Sequence, residues 1–83
     1  MKVTVRYFAS LREALGPSEI VDVAAGSTLG ALRDALLARG GRHAEVLARG
    51  KAVRCALAQV MSDESALLSE GAEVAFFPPV TGG

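Results

Sequence analysis

Between Ser27 and Gly40 the chain carries leucines at positions 29, 32, 36 and 37, the spacing of one apolar stripe on an α-helix. Ser27 can cap this helix through its hydroxyl, Arg33, Asp34 and Arg39 fall mostly on the opposite face, and Gly40-Gly41 ends it. No other segment offers a helix of this quality. A single amphipathic helix cannot bury its own stripe, so the rest of the chain must supply the opposing layer.

That layer reads as short strands. Lys2 to Phe8 alternates, with Val3, Val5 and Tyr7 on one side and Thr4, Arg6 and Phe8 on the other. Ala9 to Leu15 places Leu11, Ala14 and Leu15 at helical spacing before Gly16-Pro17 stops the segment. Ser18 to Val23 is a second strand whose inner face stays open, since Ile20 competes with Val21 and Val23. After the main helix comes a shorter helical stretch, Arg42 to Ala48, around Val46 and Leu47. Val53 to Gln59 is a third strand, with Val53, Cys55 and Leu57 sharing a face. Polar turns at 62–65 and 69–71 enclose an apolar plug, Leu67-Leu68, and Glu73 to Phe77 is the last strand. One good helix on a small mixed sheet predicts a two-layer α+β roll.

Composition narrows the partners and the chemistry. At 83 residues there is room for one small core. The 51% apolar fraction is inflated by alanine, so burial depends on Val, Leu, Ile and a few aromatics. Nine basic and nine acidic residues cancel, which leaves no net field to favour nucleic acid or an anionic membrane; any partner must be recognised by shape and apolar contact. Cys55 is the only cysteine, ruling out an intrachain disulfide and a cysteine-only metal site. There is no secretory pattern and no apolar run near the roughly 18 to 20 residues of a membrane span, so a cytoplasmic protein is expected.

Conventional catalytic groups are scarce. His43, the only histidine, reads as a solvated loop or helix-start residue, and Cys55 as a buried structural thiol. Gly26-Ser27-Thr28 lacks the lysine and spacing of a phosphate loop, and helix capping accounts for it. Asp63 and Glu64 read as a solvated turn. No constellation of an independent enzyme, and no metal or cofactor site, is apparent.

The last six residues are harder to explain as structure. Pro78 and Pro79 set an extended path out of the last strand, and Val80, Thr81, Gly82 and Gly83 can then reach roughly 13 Å further at about 3.3 Å each. Gly82 and Gly83 lack side chains, so a narrow channel in another protein could admit this end up to a Gly83 carboxylate. The chain thus divides into a folded domain, 1–77, and an extended tail, 78–83. Strand parity adds a second clue: if Tyr7 and Phe76 face the core, Phe8 and Phe77 face out, and with Met61 they would form an apolar docking patch unless the short helix or a loop covers one of them.

The run Glu73-Val-Ala-Phe-Phe-Pro-Pro-Val-Thr-Gly-Gly83 closely resembles the C-terminus of the MoaD family, the small subunits of molybdopterin synthase. Phe8-Ala9-Ser10-Leu11-Arg12-Glu13 and Thr28-Leu29-Gly30-Ala31-Leu32-Arg33 agree in order and spacing. The resemblance implies a ubiquitin-like β-grasp fold with the first and last strands parallel at the centre of the sheet. It also implies a sulfur carrier that is not catalytic alone. A ubiquitin-activating-like adenylyltransferase uses ATP to adenylate the Gly83 carboxylate, a sulfur donor system converts it to a thiocarboxylate, and the large synthase subunit, in a heterotetramer, takes the sulfur for the dithiolene of molybdopterin. Gly82 and Gly83 match the reactive tail; Phe8, Arg12, Met61 and Phe77 match partner contacts, with Pro78, Pro79, Val80 and Thr81 leading into the channel. No bound cofactor, metal, nucleic acid or membrane is implied. Met61 stands where a leucine is usual, and Ala58 where the family has an Asn. Alternatives are a β-grasp carrier for thiamine or tRNA thiolation, or a ubiquitin-like protein modifier joined to lysines.

Overall fold

A computed structural model describes residues 1–78. The elements follow the order β1 (Lys2–Tyr7), α1 (Ala9–Leu15), β2 (Ser18–Asp22), α2 (Leu29–Leu37), α3 (Gly41–Val46), β3 (Arg54–Leu57), β4 (Val60–Ser62) and β5 (Glu73–Phe77). The five strands form one sheet in the order β2-β1-β5-β3-β4. β1 and β5 run parallel at its centre, with Val5 opposite Val74 and Tyr7 opposite Phe76, and the remaining pairs are antiparallel.

Side-chain alternation sorts the two faces of this sheet. Val3, Val5, Tyr7, Cys55, Val74 and Phe76 are buried, and the α2 stripe of Leu29, Leu32 and Leu36 completes the core with Leu11, Leu47 and Leu68. Tyr7 and Phe76 stack with ring centroids 6.4 Å apart. The leucine stripe and the alternating strands thus meet as the periodicities require. In β2 the ambiguity resolves toward Glu19 and Val21, which point inward, while Ile20 stands 70% exposed on the outer face.

Several local expectations are corrected. The cap of α2 is Thr28, whose Oγ1 accepts a 3.1 Å bond from the Ala31 amide; the Ser27 hydroxyl instead donates to the Ala24 carbonyl. The cause is tertiary: a strand-like bridge between Thr28 and Leu67 keeps Thr28 extended, so the helix begins one residue later than the sequence implies. Gly40-Gly41 does not end α2, which stops at Leu37; both glycines have positive φ, 73° and 55°, and form the entry to α3.

Arg33 departs furthest from expectation. Placed on the solvent face by helical spacing, it is 4% exposed. Its Nε donates to the Leu47 carbonyl at 2.8 Å, Nη2 donates to Ala48 and Lys51 at 2.7 and 3.1 Å, and Nη1 meets Glu64 at 2.8 Å. A guanidinium offers five donors in a fixed fork, so one side chain can tie a loop and a turn to the helix. Glu64 is therefore no solvated turn residue: it pairs with Arg49 and with Arg33, and these contacts, that with Arg49 foremost, hold its carboxyl below the usual range. Gly30 lets this turn approach α2, because a Cβ there would lie 3.1 to 3.3 Å from atoms of Glu64.

The third strand is shorter than expected and returns as a hairpin. β3 ends at Leu57, Ala58 and Gln59 form the two-residue turn, and β4 brings Met61 back opposite Ala56. Both turn residues have positive φ, 51° and 68°, as a type I′ turn requires. Asn and Gly suit that conformation, whereas an alanine there carries strain on the order of 1 kcal/mol. Ala58, expected within the third strand, thus occupies a turn position. Ala58→Asn should raise the thermal midpoint by a few degrees, since about 1 kcal/mol shifts a domain of this size by roughly 4–8 °C. A midpoint that stays the same or falls, measured by circular dichroism, contradicts this account of the turn.

Candidate functional site

The outer face of the sheet holds the residues singled out for docking. The register places Arg6, Ala75, Ala56 and Met61 in one row across β1, β5, β3 and β4. One step further along, Phe77 lies beside Arg54, and Phe8 follows the end of β1. Phe8 and Phe77 stack face to face, centroids 4.8 Å apart and planes 13° apart. Each half-buries the other, so the patch is a paired aromatic surface and not two separately exposed rings.

Local backbone geometry holds this pair. The Phe8 amide donates to the Phe76 carbonyl at 3.2 Å, fixing the end of β1 against β5. The Phe8 carbonyl then accepts from the Leu11 and Arg12 amides, opening α1, and Ala9 makes the sharp exit with φ of 52°. Phe8 is thereby pinned where strand becomes helix. With Met61, which is 55% exposed, the two rings edge a groove of about 200 Å³ floored by Ala56 and Ala75 and closed by Arg6, Gln59 and Glu73.

The structure therefore brings together Phe8, Met61 and Phe77. Arg12 is exposed on α1 one turn beyond Phe8 and does not line the groove. Pro78 directly follows β5, beside this patch, while Pro79, Val80, Thr81, Gly82 and Gly83 lie outside the described residues. The alanine floor and Arg6 escaped sequence reasoning, although the parity that turned Phe8 outward applies equally to Arg6, and that of Phe77 to Ala75.

The other reactive side chains are engaged elsewhere. Cys55 is buried, its Sγ 3.3 Å from the Ser62 carbonyl, and burial followed by the nearby Glu64 charge pushes its thiol up, as a structural cysteine requires. His43 is not solvated: it sits in α3 with Nε2 2.9 Å from Glu19 and its ring edge-on to Tyr7. Tyr7 donates to the same carboxylate at 2.7 Å, and Arg39 pairs with it at 2.5 Å. Burial alone would raise the Glu19 carboxyl; hydrogen bonds from His43, Arg39 and Tyr7 outweigh that and hold it at about 2. Burial, then the Glu19 contact, pushes the Tyr7 phenol up. This cluster ties β1, β2, α3 and the end of α2 together on the side of the sheet opposite the groove. Among the described residues, no group of three or more His, Cys, Asp or Glu could hold a metal ion, and no helix is long and apolar enough to cross a membrane.

A sequence model of the ThiS family matches residues 5–83. The chain belongs to the ThiS family. Within the wider group of relatives, the molybdopterin synthase sulfur carrier subunit of Escherichia coli (strain K12) is 42% identical over 82 residues, covering 98% of this chain and 99% of that one. Solved structures agree on the fold. SAMP1 from Haloferax volcanii, a small archaeal modifier protein, superposes with a TM-score of 0.80 at 26% identity, covering 100% of both chains. A complex of subunits 1 and 2 of the molybdopterin-converting factor from Helicobacter pylori 26695 contains a chain matched with a TM-score of 0.70 at 26% identity, again with 100% of both covered. This ThiS-family domain therefore has the ubiquitin-like β-grasp architecture, and its parallel β1–β5 centre is the arrangement the sequence resemblance implies.

Proposed function

We propose that this protein is the sulfur carrier subunit of a molybdopterin synthase, acting through a Gly83 carboxylate. The observation that carries the reading is the full-length identity with the sulfur carrier subunit of Escherichia coli, joined to a family match that runs through Gly82 and Gly83. The geometry of the described residues supports the docking half of this reading. In this reading the β-grasp domain, 1–77, presents an aromatic docking patch at the end of β5, and residues 78–83 are the segment that enters a partner's site.

The chemistry follows from the weakness of a carboxylate as an electrophile. Attack of the Gly83 carboxylate on the α-phosphate of ATP, in an activating adenylyltransferase, releases pyrophosphate and leaves an acyl-adenylate with AMP as a good leaving group. A sulfur donor then displaces AMP to give the thiocarboxylate. In the large synthase subunit the thiocarboxylate sulfur is passed to the pterin precursor of the dithiolene, and hydrolysis regenerates the carboxylate. This chain's part is presentation: Phe8, Met61 and Phe77 hold the domain, assisted by Arg12, while Pro79, Val80, Thr81 and Gly82 give passage to Gly83. The chain holds no cofactor of its own, ATP being consumed by the adenylyltransferase, and the work is placed in the cytoplasm.

Intact-mass measurement after incubation with the activating enzyme, ATP and a sulfide donor tests this. One oxygen-to-sulfur exchange is expected in the full chain and none after deletion of Gly83. An unchanged mass, under conditions that thiolate a known carrier, overturns the reading. The likeness to SAMP1 favours a second role, conjugation of Gly83 to lysines. Isopeptide-linked adducts in the same assay, without transfer of sulfur to the pterin precursor, would establish the modifier role instead.

A further inference from the structure

The net charge of zero conceals a polarised groove. Arg33, Arg39 and Arg49 are consumed in ion pairs with Glu64, Glu19 and Asp34. Arg6 and Arg54 make none among the described residues, and both are exposed on the outer face. Arg6 lies with its guanidinium carbon 5.6 Å from the centre of the Phe8 ring, and Arg54 stands beside Phe77. Two unpaired cations thus flank the aromatic stack, Arg6 from the groove wall, leaning over Phe8, and Arg54 just outside the groove beside Phe77, where β5 finishes. Glu73, at the start of β5, closes the opposite end of the groove. Between them, Ala56 and Ala75 face each other across β3 and β5 and leave a hollow where larger side chains would fill the row from Arg6 to Met61.

We propose that the partner surface docking on this groove presents one bulky apolar side chain to the Ala56–Ala75 hollow and carboxylates to Arg6 and Arg54. The inference deepens the carrier reading and rests on it, since the partner meant is the large synthase subunit. An apolar anchor seated in a pocket and surrounded by charged contacts is the usual energetic layout of an interface. The charges serve mainly encounter and register: exposed cations attract carboxylates over about a Debye length, roughly 8–10 Å at ordinary salt, and so act on the association rate. A groove basic at one end and acidic at the other also fixes the direction in which the partner lies, which aims the tail.

The test measures association and dissociation of the full chain with the purified large synthase subunit at about 50 and about 300 mM salt. The R6Q/R54Q double variant should associate about 5- to 10-fold more slowly at low salt and lose much of the salt dependence. R6K/R54K, which keeps both charges, should retain that dependence. Ala75→Leu, filling the hollow, should raise Kd at least about tenfold with the charge effects intact. Unchanged association rate and salt slope in R6Q/R54Q overturn the proposal, as does wild-type affinity in a folded Ala75→Leu chain. Should the wild-type chain form no complex, the carrier reading fails and takes this inference with it; binding by wild type that is indifferent to the arginines defeats the inference alone.

Discussion

Phe77→Ala is expected to weaken binding to the large synthase subunit by roughly 1 to 3 kcal/mol, a loss of about 5- to 150-fold in affinity. The expectation rests on the stack. Phe77 presents its ring on the outer face because Phe76 occupies the core, and Phe8 packs against it at 4.8 Å. Removing one ring exposes the inner face of the other and loosens the wall of the groove. The domain itself should stay folded, since both rings are only half-buried and the Phe8 backbone contacts with β5 and α1 do not involve the side chain. Titration of the large subunit with wild-type, Phe77→Ala, Phe8→Ala and doubly substituted chains checks this. The double-mutant coupling should fall in the range of aromatic pairs, about 0.5 to 1.5 kcal/mol. An affinity untouched by Phe77→Ala would remove the stack from the interface.

Arg33→Ala should be the most damaging change to the fold among the polar residues described, costing on the order of 2 to 3 kcal/mol. The substitution leaves the Leu47 carbonyl without its donor, removes the second donor from the Ala48 and Lys51 carbonyls, which keep the backbone amides of Lys51 and Val53, and leaves Glu64 with Arg49 alone. Buried or half-buried polar groups without partners are expensive, and a domain of 83 residues has little stability in reserve. Arg33→Lys should recover only part of the loss, because an ammonium is a single point of charge and cannot serve the loop carbonyls and the carboxylate from one plane. Urea unfolding gives the answer; a loss below about 1 kcal/mol for Arg33→Ala would show that the loop finds other partners.

What could be read from the sequence was what neighbouring residues decide among themselves. The bounds of α1 and β5 come out as expected, because alternation, helical spacing and the Gly16-Pro17 and Pro78-Pro79 stops all act within a few residues. The outward Phe8 and Phe77 followed from parity alone. The misreadings were settled by distant chain. Arg33 is buried by a loop 14 to 18 residues away, so helical spacing could not reveal it. His43 finds its partner in β2, 24 residues earlier. β4 was hidden because the turn before it uses Ala58 and Gln59, which carry no turn signal although their backbone is that of a type I′ turn. The hollow between Ala56 and Ala75 needed the register of β3 on β5, which no local pattern specifies.

The parallel pairing of β1 with β5 also governs when a newly made chain becomes useful. Contacts between the two ends of a domain close late, after most of the intervening chain has been organised, and such long-range closure slows folding. β1 is made before β5, and the centre of the sheet cannot exist until β5 has been made. Phe8 acquires its stacking partner in the same event. A nascent or truncated chain lacking β5 therefore lacks the Phe8–Phe77 pair. The aromatic patch is thus a product of the completed sheet, and it cannot form on a partly made one.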